Sequence, residues 1–232
     1  MISSTIDIAT SLQTVRKSIT AMAQKHGRNP ASIKLLAVSK TKPVAQLAAA
    51  ISAGQIAFGE NYPDEALEKI SELTQNACEW HFIGAIQSRK AAGIARNFSW
   101  VHSVERFKVA KKLSENRPTD MPPIQYCLQV NIDNESSKSG VTPEQLFDLA
   151  AQCHDLPQLN LRGLMAIPAP EADFNRQRDA FARVRRLQEK LQKTYPQLDT
   201  LSMGMSADLE AAIAEGATVV RVGTAIFGAR SA

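Results

Sequence analysis

Residues Ile33 to Lys40 read Ile-Lys-Leu-Leu-Ala-Val-Ser-Lys, and Thr41, Lys42 and Pro43 follow at once. The run is short, four of the five residues from Leu35 to Ser39 are apolar, and Pro43 suits the first turn of a helix. The spacing therefore predicts a buried strand with Lys40 at its carboxyl edge, where parallel α/β sheets keep their chemistry. A lysine walled by apolar neighbours is discouraged from holding its charge, and a neutral amine attacks carbonyls to form a Schiff base. The competing reading is a solvated lysine at the end of an ordinary strand.

The rhythm set by this stretch recurs along the chain. Ile6 to Lys25 has helical spacing, with Ile6, Ile8, Leu12, Val15, Ile19 and Met22 at three- and four-residue steps. Beyond the first strand, short apolar runs at 55–59, 80–84, 100–103, 124–131, 159–167, 198–202 and 218–222 alternate with helical segments. Those segments are 44–53, 64–75, 88–97, 105–115, 142–154, 173–194 and 207–214, with Thr142-Pro143 placed as cap and first residue of theirs. Eight strands in strict alternation predict an α/β protein with a closed (β/α)8 TIM-type barrel. An open doubly wound sheet is the runner-up, and it lacks a Gly-x-Gly-x-x-Gly fingerprint after the first strand. The expected organisation is a single domain over 1–232, with a leading helix in 1–30 and the barrel in 31–232.

Composition narrows the partners. The net charge of +4 suits anionic small molecules, whereas 6% aromatic content is too low for rows of base-stacking platforms, so nucleic acid is not expected. Cys78, Cys127 and Cys153 are far apart and form no Cys-x-x-Cys pair, which argues against a disulfide framework or a thiolate zinc site. The first residues have no basic and apolar signal pattern, and no apolar run reaches membrane-spanning length. We expect a soluble cytoplasmic monomer with no membrane partner and no metal.

Two loops look able to hold a phosphate. Ser202-Met-Gly-Met-Ser206 follows the seventh strand, and Arg221-Val-Gly-Thr-Ala-Ile-Phe-Gly228 spans the end of the eighth; both offer glycine for close backbone approach and hydroxyl donors. Ordinary turn chemistry explains either loop taken alone. Arg221 interrupts a Val-Val-Arg-Val run: it either points outward to a carboxylate or points inward and needs an acceptor, such as a heteroaromatic nitrogen. Pyridoxal 5′-phosphate carries the matching handles, a phosphate, an aldehyde and a ring nitrogen.

The words Leu36-Ala-Val-Ser-Lys-Thr-Lys-Pro43, Phe58-Gly-Glu-Asn-Tyr62, Trp80-His-Phe-Ile-Gly84, Ser136-Ser-Lys-Ser-Gly140, Arg162-Gly-Leu-Met-Ala-Ile-Pro168, Leu201-Ser-Met-Gly-Met-Ser206 and Val220-Arg-Val-Gly-Thr-Ala-Ile-Phe-Gly228 occur in this order. Across essentially its whole length the chain resembles the pyridoxal phosphate homeostasis protein family. The resemblance implies a fold-type III barrel like the amino-terminal domain of alanine racemase, without that enzyme's carboxyl-terminal β domain. It implies Lys40 as the aldimine lysine, Arg221 facing the pyridine nitrogen, and Ser202, Gly204, Gly223 and Thr224 holding the phosphate. Asn61, His81 and Met165 match positions lining the family's pocket; a lone histidine on a buried strand, such as His81, is more often a hydrogen-bonded core residue than a catalyst. Pro63, Ala85 and Ala207 depart from the family pattern. None of them touches the expected Schiff base or phosphate contacts.

The implied role is non-catalytic: holding pyridoxal phosphate and delivering it, with apo pyridoxal-phosphate enzymes as further partners. The alternative is a racemase-like enzyme, whose second base would be a tyrosine from another domain. This chain's tyrosines are Tyr62, Tyr126 and Tyr195, and none is placed by its sequence across the cofactor. A cofactor-free lysine aldolase would leave Arg221 unexplained. Lys42 and Lys138 are candidates for a second amine. The arginines of 176–186 read as the solvated face of a helix whose buried side is Phe174, Phe181, Val184, Leu187 and Leu191.

Overall fold

The β-branched and leucine-rich runs form parallel strands β1 (Lys34–Val38), β2 (Ala57–Glu60), β3 (Glu79–Phe82), β4 (Trp100–Val104), β5 (Ile124–Val130), β6 (Leu159–Ala166), β7 (Thr200–Ser202) and β8 (Val219–Val222). In this computed structural model, which describes residues 7–75, 77–135 and 138–229, they close in sequence order, β8 pairing back onto β1. The expected barrel is the observed one. Helices α1 (Ile8–Lys25), α2 (Val44–Ser52), α3 (Pro63–Glu72), α4 (Ala91–Asn97), α5 (Phe107–Asn116), α6 (Leu146–Cys153), α7 (Phe174–Gln192), α8 (Leu209–Ala214) and α9 (Thr224–Phe227) surround it. The main apolar core lies between the sheet and this outer layer, with Phe58, Phe82, Phe98, Tyr126 and Phe181 fully buried there.

The leading helix begins with Asp7, whose side chain accepts from the Thr10 backbone N–H, and it buries Leu12, Val15, Ile19 and Ala23 against α2, α8 and α9. Arg16 donates to the carbonyls of Ala53 and Gly54, and Arg28 to those of Ile213 and Ala217. These clasps lay α1 across the seam where β8 meets β1. The helix start expected at Ile6 lies outside the described residues.

Several boundaries differ for local reasons. β1 stops at Val38, because Thr41 turns the chain with a φ of 62°, and Lys40 therefore stands on the loop just past the strand. Pro43 is extended, with ψ of 152°, and caps α2 instead of opening it. Thr142-Pro143 likewise precedes its helix, which starts at Leu146 after a turn in which Gln145 N–H donates to Thr142 Oγ1. The α7 arginines do more than meet solvent: Arg178 and Arg185 both pair with Glu215, and Arg183 holds Asp133. Among the described residues no helix is long and apolar enough to cross a membrane.

Register fixes what faces the barrel axis. Leu36 pairs with Arg221, Gly59 with His81, and His81 with Trp100, and in a parallel ladder partners share a face. β6 carries a bulge at Arg162, since Tyr126 pairs with Leu161 while the next residue, Cys127, pairs with Gly163. Two small apolar clusters occupy the interior, one around Leu36, Ala57 and Val219 and the other around Trp100, Cys127 and Met165. Between them runs a column of buried polar side chains.

Candidate functional site

At the carboxyl edge of the sheet a cavity of about 350 Å³ opens between the loops after β1, β2, β7 and β8. Lys40, Asn61 and Arg221 contribute its nitrogen groups, and Ser206, Gly223 and Thr224 line it from the loops after β7 and β8. Val38, Ile83, Ile167 and Met205 supply apolar walls. Residues far apart in sequence meet here because parallel strands all deliver their following loops to one end.

Lys40 is half-buried, and both its chain neighbours are pinned. Ser39 Oγ donates to Glu60 Oε1 at 2.6 Å, and Lys69 Nζ donates to Glu60 Oε1 and to the Ser39 carbonyl, each at 2.8 Å. On the other side the Thr41 N–H donates to Glu65 Oε1 at 2.6 Å, and Lys69 also reaches that carboxylate. Burial pushes the Glu60 carboxyl up, while the hydrogen bonds from Lys69 and Ser39 pull it down. This bracket escaped the sequence reading. Its signal was present in the i, i+4 pair Glu65 and Lys69 and in Glu60 at the centre of Phe58-Gly-Glu-Asn.

Arg221 points inward and is 4% exposed. Nη1 donates to the Ser202 carbonyl at 2.5 Å and to Ser202 Oγ at 2.9 Å, and Nη2 donates to the Ala166 carbonyl at 3.0 Å. Burial lowers its pKa to about 10, so the guanidinium stays charged at neutral pH. The acceptors that the sequence reading required are thus partly the protein's own. Asn61 Oδ1 is a buried acceptor on the cavity wall without a hydrogen-bond partner among the described residues. The β7 loop is shaped by Asp208, whose Oδ1 accepts from the Met205 N–H at 2.6 Å, and by Gly204, where φ is 92° and a Cβ would sit 2.5 Å from that of Ala212.

Of the residues expected to bind cofactor, Lys40, Asn61, Arg221, Gly223 and Thr224 come together on this cavity. Ser202, Gly204, His81 and Met165 lie deeper, outside its lining, with Ser202 and His81 fully buried in the polar column. The Ser202 hydroxyl is occupied by Arg221 and His102, and Ser206, at the other end of the same loop, faces the cavity instead. His81 is not a lone histidine: its Nδ1 lies 2.8 Å from His102 Nε2. Lys42 is a structural residue, its Nζ donating to the carbonyls of Phe227, Gly228 and Ala229. Lys138 lies on an adjoining cavity with Gln129 and Ser139, its Nζ 3.1 Å from Glu135 Oε1 without hydrogen-bond geometry; Ser136 and Ser137 beside it lie outside the described residues.

A closed parallel barrel with a lysine after its first strand and an inward arginine on its last defines a protein of the alanine racemase amino-terminal class. The model of that family, "Alanine racemase, N-terminal domain", matches residues 10–231. Two curated relatives called pyridoxal phosphate homeostasis protein are 56% identical over 223 residues (Pseudomonas aeruginosa) and 50% identical over 227 residues (Escherichia coli K12). The alignments cover 96% and 97%, respectively, of both chains. The chain belongs to the pyridoxal phosphate homeostasis protein family. Among solved structures, PipY of Synechococcus elongatus with PLP bound is 36% identical, with a TM-score of 0.83 over 95% of this chain and 100% of that one. Alanine racemase of Corynebacterium glutamicum, at 20% identity and a TM-score of 0.67, shares the fold over 95% of this chain and 62% of its own.

Proposed function

We propose that this protein binds pyridoxal 5′-phosphate at the mouth of the barrel and keeps it in reserve for delivery to apo-enzymes, as its place among the homeostasis proteins supports. One observation carries the reading: a single cavity wall presents an amine, a guanidinium and a hydroxyl-bearing glycine turn, the complements of an aldehyde, a ring nitrogen and a phosphate. The orphan acceptor Asn61 Oδ1 fits the ring hydroxyl of the same molecule. When bound, the cofactor supplies an aldehyde that a lysine amine takes up covalently with loss of water.

In this reading Lys40 is the covalent anchor, held in place by the Ser39–Glu60–Lys69–Glu65 bracket. Arg221 orients the ring, and Ser206, Gly223 and Thr224 take the phosphate. An arginine at the ring nitrogen disfavours its protonation, which weakens the electron sink that carbanion chemistry needs. No tyrosine lines the cavity among the described residues: Tyr126 donates to the Cys153 carbonyl, Tyr195 packs on His154, and Tyr62 stands at the outer rim. These features support a holder of the cofactor over a racemase-like enzyme.

The test is to add pyridoxal phosphate to the purified protein, reduce with borohydride and map the modified peptide. We expect the protein to be yellow before reduction and labelled at Lys40 after it, and the unreduced cofactor to transfer to an apo-enzyme. A protein left colourless once free cofactor has been removed overturns the binding assignment. Exchange of the α-deuterium of amino acids at enzymatic rates overturns the non-catalytic one.

A further inference from the structure

Below the cavity a polar column runs through the barrel and ends on Arg221. It starts at the amino-terminal rim, where Glu79 takes a hydrogen bond from Lys34 at 2.9 Å and lies 3.0 Å from His81 Nε2. His81 Nδ1 is 2.8 Å from His102 Nε2, and His102 Nδ1 is 2.7 Å from Ser202 Oγ, which accepts from Arg221. Strands β3, β4, β7 and β8 thus hand one chain of contacts from the rim to the cavity.

Donor and acceptor chemistry gives this chain a direction. Arg221 offers only donors and the Glu79 carboxylate only acceptors, so both ends are fixed. His81 Nε2 therefore carries a hydrogen for Glu79. In a neutral ring its Nδ1 is then an acceptor, which makes His102 Nε2 the donor and His102 Nδ1 an acceptor for the Ser202 hydroxyl. Every bond runs one way: Arg221 to Ser202, Ser202 to His102, His102 to His81, His81 to Glu79. Both rings are buried, and desolvation holds each pKa down, which keeps them neutral. His81 also stacks on Trp100 at an interplanar angle of 4°, which opposes flipping of the ring. The reverse tautomer at His102 would aim its Nδ1–H and the Arg221 N–H at one oxygen and leave the serine hydrogen without its acceptor.

We propose that His102 and His81 are positioning residues for the cofactor site: as paired Nε2–H tautomers, they and Ser202 anchor Arg221 to Glu79, fixing the arginine's aim at the ring nitrogen. The inference rests on the pyridoxal phosphate reading above. Two Nη1 hydrogens and one on Nη2 are engaged below, and the arginine's remaining N–H groups are left for the cavity it lines. Buried imidazoles are a costly way to fill a barrel that apolar side chains fill elsewhere, and the column's direction supplies a reason for them.

Two measurements decide the matter. Long-range proton–nitrogen NMR on nitrogen-15 histidine in the cofactor-free protein reads the tautomers, and both rings should be protonated at Nε2 alone near neutral pH. An Nδ1–H or doubly protonated ring at either position overturns the column. Next, affinities are measured for pyridoxal phosphate and for an analogue with C–H in place of the ring nitrogen. Glu79→Leu, at the far end of the barrel, should cut the wild-type preference for the nitrogen-bearing ligand about tenfold and leave analogue affinity unchanged. Glu79→Gln, whose side-chain carbonyl still accepts from His81, should restore the preference. Equal loss for both ligands would mean that Glu79 only supports packing, and an unchanged preference would mean no coupling; either result overturns the proposal. Should Glu79→Leu fail to fold, Ser202→Ala cuts the column at its other end, with the same expectation. If wild type binds neither ligand, the functional reading fails while the NMR result still stands.

Discussion

The barrel holds two polar regions built from similar side chains, and they behave in opposite ways. In the interior column each group is matched to another: Glu79 to His81, His81 to His102, His102 to Ser202, Ser202 to Arg221. At the mouth, Asn61 Oδ1 has no hydrogen-bond partner among the described residues, and Lys40 and Arg221 line a cavity. Matched polar groups make a scaffold, while a wall with an unmatched acceptor invites a ligand. Lys40 and Lys42, two residues apart, serve different regions. One lines the cavity, and the other clamps three carbonyls at the end of α9.

The sharpest way to test that division is to remove one lysine at a time. Lys40→Ala should abolish borohydride-trapped label on the protein. Retention of full labelling would move the anchor elsewhere. Lys69→Met attacks the scaffold instead. It leaves Glu60, which is wholly buried, without its cationic partner, and breaking such a pair costs about 3–5 kcal/mol. Denaturant unfolding should register that loss, and a change under 1 kcal/mol would show that the bracket beside Lys40 is not rigid. Thr224→Val is a smaller step. Removing one hydroxyl from a charged ligand forfeits about 1.5–3 kcal/mol, so pyridoxal phosphate affinity should fall about 10- to 100-fold with the fold intact.

The eight strands and the helices between them were legible because each β-strand is a short apolar run and each of those helices repeats at three or four residues, whereas the four-residue α9 after β8 is too short to show such a repeat. Lys40 and Arg221 were legible for a related reason, since a charge inside an apolar strand word calls for a partner. The column was hidden by distance. His81, His102 and Ser202 belong to separate words, and only the parallel register places His81 beside Trp100 and turns His102 and Ser202 toward the axis. Ser202 and Ser206 were indistinguishable as phosphate donors in sequence, because which of the two faces the axis depends on where β7 ends, and it ends at Ser202. Thr142-Pro143 resembled a helix start, yet the turn it opens delays α6 to Leu146.

The column and the mouth should also part on acidification. His81 and His102 are held below their ordinary value of 6.5 by burial, which at His81 outweighs the opposing pull of Glu79 and at His102 is reinforced by His81, Arg221 and Lys34. In the unfolded chain these rings take up protons as the pH falls through 6.5, and in the native barrel they do not until the pH is lower. A depressed native pKa thus contributes stability above 6.5 that drains away below it, by about 1.4 kcal/mol per pH unit for each ring. Glu79, held down to about 2 by its hydrogen bond to His81 against the opposing effect of burial, adds a loss of the same sign below its ordinary 4.5. Glu60 opposes both, because its raised native pKa makes the fold relatively more stable once that carboxyl is protonated. The histidines titrate first, so unfolding free energy should be flat above pH 7 and decline below pH 6.5, with uptake of a proton by Glu60 offsetting part of the fall. Denaturant midpoints at half-unit steps test this. A profile flat to pH 5 would mean that the rings take up protons inside the barrel as easily as outside it, and the column would then lack the neutral histidines on which its direction depends.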